Sequence, residues 1–133
     1  MMNKADIIEK LSAFPYDASE YWLITGGAMV LYGIRDETSD IDLGCTARLA
    51  DRLEADGYLH AVRTNGKRWF KVGSDIELFE DWLYDTVTLM DGIPVISIQG
   101  LIDMKRSLGR EKDARDIGLI EKYLQTMSTE THQ

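Results

Sequence analysis

Between Ser39 and Cys45 the chain alternates strictly, with Asp40, Asp42 and Gly44 on one side and Ile41, Leu43 and Cys45 on the other. A period of two is that of a β-strand with one buried face. The same period sets two carboxylates side by side, about 6.6 Å apart from the rise per residue. At that separation they repel by about 2.5 kcal/mol at an effective dielectric of 20. Ile41 and Leu43 anchor the strand in a core, so the pair cannot splay apart. A hard divalent cation offsets such repulsion, and Mg²⁺ takes one or two carboxylates together with substrate phosphate. For an isolated Asp-x-Asp, the polar face of an edge strand is the simpler reading, and the flanking residues decide between the two.

Upstream, Tyr21 to Thr25 is rich in β-formers and reads as a buried strand. Gly26-Gly27 follows as a tight turn, and Ala28 to Tyr32 reads as a short helix ended near Gly33. Glycines at such a junction let a phosphate approach backbone N–H groups, although a structural turn would look the same. The pair is neither a P-loop nor a dinucleotide fingerprint, because the Gly-Lys-Ser/Thr ending and the G-x-G-x-x-G spacing are absent. Arg35 and Thr38 lie just before the acids. Downstream, Asp75 to Phe79 alternates as a strand, and Glu77 between Ile76 and Leu78 offers a third carboxylate for a metal and general-base cluster. Asp75 shares its face and competes for that role.

The remaining pattern is mixed. Ile7, Ile8, Leu11 and Phe14 mark one face of a first helix stopped by Pro15. A helix from about Arg48 to Asp56 ends at Gly57. Asn65-Gly66 and Asp91-Gly92 each sit between two β-rich runs and predict hairpins. Gln99 to Leu108 and Asp113 to Met127 carry helical spacing, with Gly109 between them. The expected fold is α/β (α+β): a single mixed sheet with helices packed on it. One domain over 1–127 and a flexible polar tail over 128–133 are expected.

A net charge of −8 over 133 residues argues against a broad phosphate-backbone footprint, so long nucleic acid is not an expected partner. An acidic chain still binds an anionic nucleotide if metal ions lie between them. No stretch approaches the roughly 20 apolar residues of a membrane span, and Asp6 and Glu9 interrupt any signal-peptide core. A cytoplasmic protein is expected. Cys45 is the single cysteine, read as a small core residue. Trp22, Trp69, Phe70 and Trp82 read as core or interface, His60 as an ordinary strand histidine, and the charges from Arg110 to Arg115 as a solvated helix start.

The run from Leu23 to Leu43, Leu-Ile-Thr-Gly-Gly-Ala-Met-Val-Leu-Tyr-Gly-Ile-Arg-Asp-Glu-Thr-Ser-Asp-Ile-Asp-Leu, resembles the signature of the nucleotidyltransferase superfamily related to DNA polymerase β. That signature is an apolar strand, Gly-Gly or Gly-Ser, a helix, Asp-x-Asp between apolar residues, and a third acid on a later strand. The resemblance implies a nucleotidyltransferase-like fold and transfer of a nucleoside monophosphate from a nucleoside triphosphate to a hydroxyl acceptor, a small molecule or a protein. It implies Mg²⁺ or Mn²⁺ on Asp40, Asp42 and Glu77, and the triphosphate held by Gly26 and Gly27, with Arg35, Thr38 and Lys105 as further contacts. Gly27 stands where many members have serine, and Glu77 where Asp is commoner. No large acceptor-binding domain is expected after the sheet, so acceptor choice would fall to a homodimer or a partner. The competing implication is a nucleotidyltransferase-like binding module, such as an antitoxin or regulatory subunit.

Overall fold

Asn3 opens the first helix. Its side chain accepts from the Asp6 N–H at 2.9 Å while the Asp6 carboxylate accepts from the Asn3 N–H at 3.0 Å, a reciprocal capping box. Helix α1 (Lys4–Ser12) buries Ile7 and Leu11 and stops short of Phe14. Pro15 disfavours helical backbone at the residue before it, and Phe14 packs edge-on to Tyr21 instead, with ring centroids 5.5 Å apart. The computed structural model describes residues 1–131. Of the expected 128–133 tail, His132 and Gln133 lie outside the described residues.

Strand β1 (Tyr21–Ile24) is buried along its whole length and runs directly into α2 (Thr25–Leu31). Gly26 and Gly27 therefore belong to the helix and do not form a separate turn. Thr25 makes the corner, with φ +53° in the left-handed region. Strand β2 (Ile41–Cys45) starts one residue after Asp40, which lies on its approach. Helix α3 (Ala47–Ala55) follows, capped by the Thr46 hydroxyl, which accepts from the Leu49 N–H at 3.1 Å.

Strands β3 (His60–Val62) and β4 (Arg68–Val72) form the first hairpin, and β5 (Ile76–Glu80) pairs with β4. Strands β6 (Val87–Met90) and β7 (Ile93–Ile96) form the second. Its two-residue loop has Asp91 at φ +52° and Gly92 at φ +78°. Positive φ at both positions is the turn whose twist matches a hairpin, which is why Asp-Gly predicts it. Helices α4 (Ile98–Leu108) and α5 (Glu111–Thr131) complete the chain, with Gly109 left-handed between them at φ +62°.

The seven strands form one mixed sheet in the order β3-β4-β5-β2-β1-β7-β6. The α/β class and the single mixed sheet are as the sequence predicts. Strand β2 is antiparallel to β1 and parallel to β5, with Ile41 opposite Ile76, Asp42 opposite Glu77, and Gly44 opposite Phe79. Ile41, Leu43, Ile76 and Leu78 join the core that also holds Leu49 and Leu53 of α3. Each such side chain stabilises the fold by about 2 kcal/mol on burial. Together they outweigh the acid repulsion on the opposite face, so the core dictates where the acids stand.

Candidate functional site

The acids are built by the sheet. Asp42 and Glu77 sit opposite each other on parallel neighbours β2 and β5, and Asp40 precedes β2 by one residue. Thr25, at the end of β1, donates its hydroxyl to Asp42 Oδ2 at 2.7 Å. Asp42 Oδ1 is buried with no hydrogen-bond partner in the protein. Asp40 Oδ2 accepts from the Ser39 hydroxyl at 3.3 Å. The Glu77 carboxyl is pushed above the ordinary carboxylate range, first by burial, then by the neighbouring Asp42 carboxylate and by Asp40, with Lys71 opposing. Asp75 is drawn elsewhere: its carboxylate pairs with Lys10 of α1 at 2.7 Å. Glu77, and not Asp75, adjoins the Asp pair.

In front of these acids lies a cleft of about 550 Å³. Gly26, Arg35, Thr38, Asp40, Asp42 and Lys105 all line it. Gly27 does not. It is buried, and a Cβ there would come within 2.8 Å of Leu23 Cδ1, so this glycine serves close helix-on-strand packing. At Gly26 the space of a side chain is taken by Thr38 Oγ1 and Arg35 Nη1, 2.7 and 2.9 Å from an ideal Cβ. Glycine there lets Arg35 and Thr38 lean over the end of β1. Thr38 is itself buried, with its hydroxyl 3.4 Å from the Asp40 carbonyl oxygen.

The cationic wall is organised by one acid that sequence reasoning did not select. Asp116 of α5 accepts from Arg35 Nη2 at 2.7 Å and from Lys105 Nζ at 2.9 Å. Lys105 is 4% exposed and also lies 3.8 Å from Asp113, so it is a buried ion-pair partner and not a solvated helix-surface lysine. Arg110 pairs with Asp113 at 2.6 Å. Arg110, Lys112 and Arg115 line the cleft, so the charged start of α5 faces this space as well as solvent. The other wall carries Phe79, Trp82 and Arg63. Trp22 and Phe70 are buried as expected, Trp69 is half exposed, and Trp82 turns its ring to the cleft.

Among the described residues no three His, Cys, Asp or Glu side chains are gathered closely enough to hold a metal ion by themselves. The chemistry of the acids nonetheless fits a divalent cation. Asp42 offers an unpartnered buried oxygen, and its neighbour Glu77 is strained by like charge, both of which a cation would relieve. Cys45 takes no part: burial above all, with Glu80 and Asp81 nearby, pushes its thiol up to about 12. Among the described residues no helix is long and apolar enough to cross a membrane.

No family model matches the chain, and no curated protein sequence matches it. Solved structures do. ANT(2″)-Ia, in complex with adenylyl-2″-tobramycin, superposes with a TM-score of 0.60 at 16% identity, covering 94% of this chain and 91% of that one. The lincosamide antibiotic adenylyltransferase LnuA, bound to lincomycin, gives 0.52 at 18% identity over 90% and 92% of the two chains. A Thermotoga maritima protein assigned as a nucleotidyltransferase gives 0.55 at 17% identity over 94% and 96%. At these identities the likeness speaks for architecture alone, and the chain shares the fold of these three structures.

Proposed function

We propose that this protein transfers a nucleoside monophosphate from a nucleoside triphosphate to a hydroxyl acceptor. The observation that carries the reading is the register of Asp42 and Glu77 on adjacent parallel strands, with Asp40 and Asp42 lining a cleft that has a cationic wall. Asp40, Asp42 and Glu77 would hold Mg²⁺ or Mn²⁺ jointly with phosphate oxygens of the nucleotide. Such an ion, when bound, supplies neutralisation of charge on the attacking and leaving oxygens.

The chain's own residues do the rest. Thr25 fixes the rotamer of Asp42 through its hydroxyl. Arg35 and Lys105, held together by Asp116, face the triphosphate and offset its charge. Glu77, paired with Asp42 across β2 and β5, is the third acid beside the pair and the group suited to take the acceptor's proton. The acceptor oxygen bonds to the α-phosphorus, the bond from that phosphorus to the bridging oxygen breaks, and pyrophosphate leaves with the electron pair. The acceptors of the structural neighbours, an aminoglycoside and a lincosamide, make a small-molecule hydroxyl the first class to try.

The test is titration of labelled ATP, GTP, CTP and UTP, with and without Mg²⁺, against wild type and an Asp40→Asn/Asp42→Asn double variant. Binding that requires both metal and aspartates supports the site and names the base. Absence of nucleotide binding under every condition overturns it. Metal-dependent binding with no turnover on any hydroxyl acceptor would assign the chain to the binding-module reading.

A further inference from the structure

Arg63 is held differently from Arg35, Lys105 and Arg110 of the same cleft. Arg35 and Lys105 share the Asp116 carboxylate, and Arg110 pairs with Asp113. Arg63 forms no ion pair among the described residues, and its Nη1 is buried without a hydrogen-bond partner in the protein. Its backbone is fixed, donating its N–H to the Lys67 carbonyl oxygen at 2.8 Å across the β3–β4 hairpin. Its guanidinium is fixed too, 4.4 Å from the centroid of the Trp82 ring and 5.5 Å from that of Phe79. Ring faces hold a guanidinium by cation–π attraction but satisfy none of its in-plane N–H donors.

The platform beneath it is itself braced. Trp22 Nε1 donates to the Trp82 carbonyl oxygen at 2.9 Å, and Phe79 stacks on Trp69 with ring planes 9° apart. The sheet order puts this platform on the far side of the acids from the Arg35–Lys105 wall. Phe79 and Trp82 belong to β5 and the segment after it and Asp42 to β2, while α2 packs on β1, β2 and β7 and α4 packs on α2 and α5. Two cationic surfaces thus face one another across the acid pair. A nucleoside triphosphate lying on the first leaves the second for the other reactant.

We propose that Arg63, held over the rings of Trp82 and Phe79, recognises an oxyanion of the acceptor, so that the acceptor is a hydroxyl compound carrying a phosphate or carboxylate and not an amine-rich one. A planar fork of donors with no internal acceptor matches two oxygens of such a group. The word acceptor rests on the nucleotidyl-transfer reading. The oxyanion site rests on Arg63 itself.

The test uses calorimetry on the full chain with glycerol 3-phosphate and lactate as hydroxyl-bearing anions, and glycerol and ethanolamine as neutral and cationic counterparts. Each is titrated with and without Mg²⁺ and a non-hydrolysable ATP analogue. The expected result is binding of the anionic probes in preference to glycerol and ethanolamine, weakened about tenfold or more by Arg63→Gln. Arg63→Lys, which keeps the charge and loses the fork, should weaken it by a smaller factor. Nucleotide affinity should stay within about twofold of wild type in both variants. Equal affinity for glycerol and glycerol 3-phosphate overturns the proposal. So does a loss confined to the nucleotide in Arg63→Gln, which would make the recognised oxyanion a phosphate of the nucleotide. If no nucleotide binds yet glycerol 3-phosphate still binds through Arg63, the transfer reading falls and the oxyanion site stands.

Discussion

Asp42 and Glu77 occupy paired positions on two parallel strands, and the backbone ladder between β2 and β5 keeps them together. The strands are pinned from the other face by Ile41, Leu43, Ile76 and Leu78, so neither carboxylate can retreat. The consequence is visible in the raised carboxyl of Glu77. A fold that forces acids together in this way spends stability on a charge arrangement that only a ligand relieves.

Asp42→Asn should therefore separate folding from binding. The amide oxygen can still accept from Thr25, and the repulsion toward Glu77 disappears. The urea midpoint should be unchanged or higher, by about 1 kcal/mol at most. Metal-dependent nucleotide affinity should fall by about 100-fold or more, since even residues one step removed from a metal commonly cost 10- to 100-fold. Calorimetry on folded variant with unaltered nucleotide affinity would count against the site.

How much of this was readable beforehand follows the range of each signal. Asp40-Ile41-Asp42 announces itself because a period of two needs only neighbouring residues, and Asp91-Gly92 because its turn chemistry is local. The choice between Asp75 and Glu77 was not readable. It depends on Lys10, a helix away, capturing Asp75. The role of Asp116 was not readable for the same reason: it exists only where α2, α4 and α5 meet. Gly26-Gly27 looked like one device and is two, since Gly26 accommodates Arg35 and Thr38 while Gly27 accommodates Leu23. Arg63 and Trp82 carried no motif at all, because a ring and a guanidinium meet only after the sheet has formed.

Thr25 combines a left-handed backbone with the hydroxyl that orients Asp42. Left-handed backbone costs a residue with a Cβ about 1–2 kcal/mol, and a hydrogen bond of this kind contributes about 1 kcal/mol. Thr25→Ala keeps the strain and loses the bond, so it should destabilise by about 1 kcal/mol. Thr25→Gly loses both, so it should equal wild type or exceed it. Both should weaken metal-dependent nucleotide binding, because Asp42 is no longer oriented. Urea denaturation of the two variants side by side decides the matter: equal losses of stability would mean that the strain is absent.

Gly44 faces Phe79 across β2 and β5, and any Cβ there would collide with the Trp22 indole nitrogen and the Trp82 carbonyl oxygen. One of these is backbone and the other belongs to a buried ring, so neither yields easily. Gly44→Ala should destabilise by about 2 kcal/mol or more. It should also break the Trp22–Trp82 hydrogen bond, and with it the platform under Arg63. Shifted tryptophan emission together with a lower melting temperature is the expected pair of observations. An unchanged spectrum in a stable variant would show that Trp82 is not held in this way.

Glu80 and Arg68 form a buried two-point ion pair behind the sheet. Arg68 Nε donates to Oε1 at 3.0 Å, Nη2 to Oε2 at 2.7 Å, and the Arg68 backbone N–H adds a third bond to Oε1 at 2.9 Å. The Arg68 guanidinium, through its hydrogen bonds and its charge, lowers the Glu80 carboxyl from 4.5 to about 2. A depressed folded-state value stabilises the fold above the unfolded value, and the contribution disappears as pH falls toward 2. It amounts to about 3 kcal/mol at neutral pH and about half of that at pH 3. Glu80→Gln should therefore cost up to about 3 kcal/mol at pH 7, because it removes the charge facing Arg68 Nε and Nη2 and leaves only Asp51 and Glu54 at Nη1. The gap to wild type should shrink to about half at pH 3. Urea titrations of both proteins at pH 7, 4 and 3 measure it, and a gap that stays constant across that range would show that the pair does not govern acid stability.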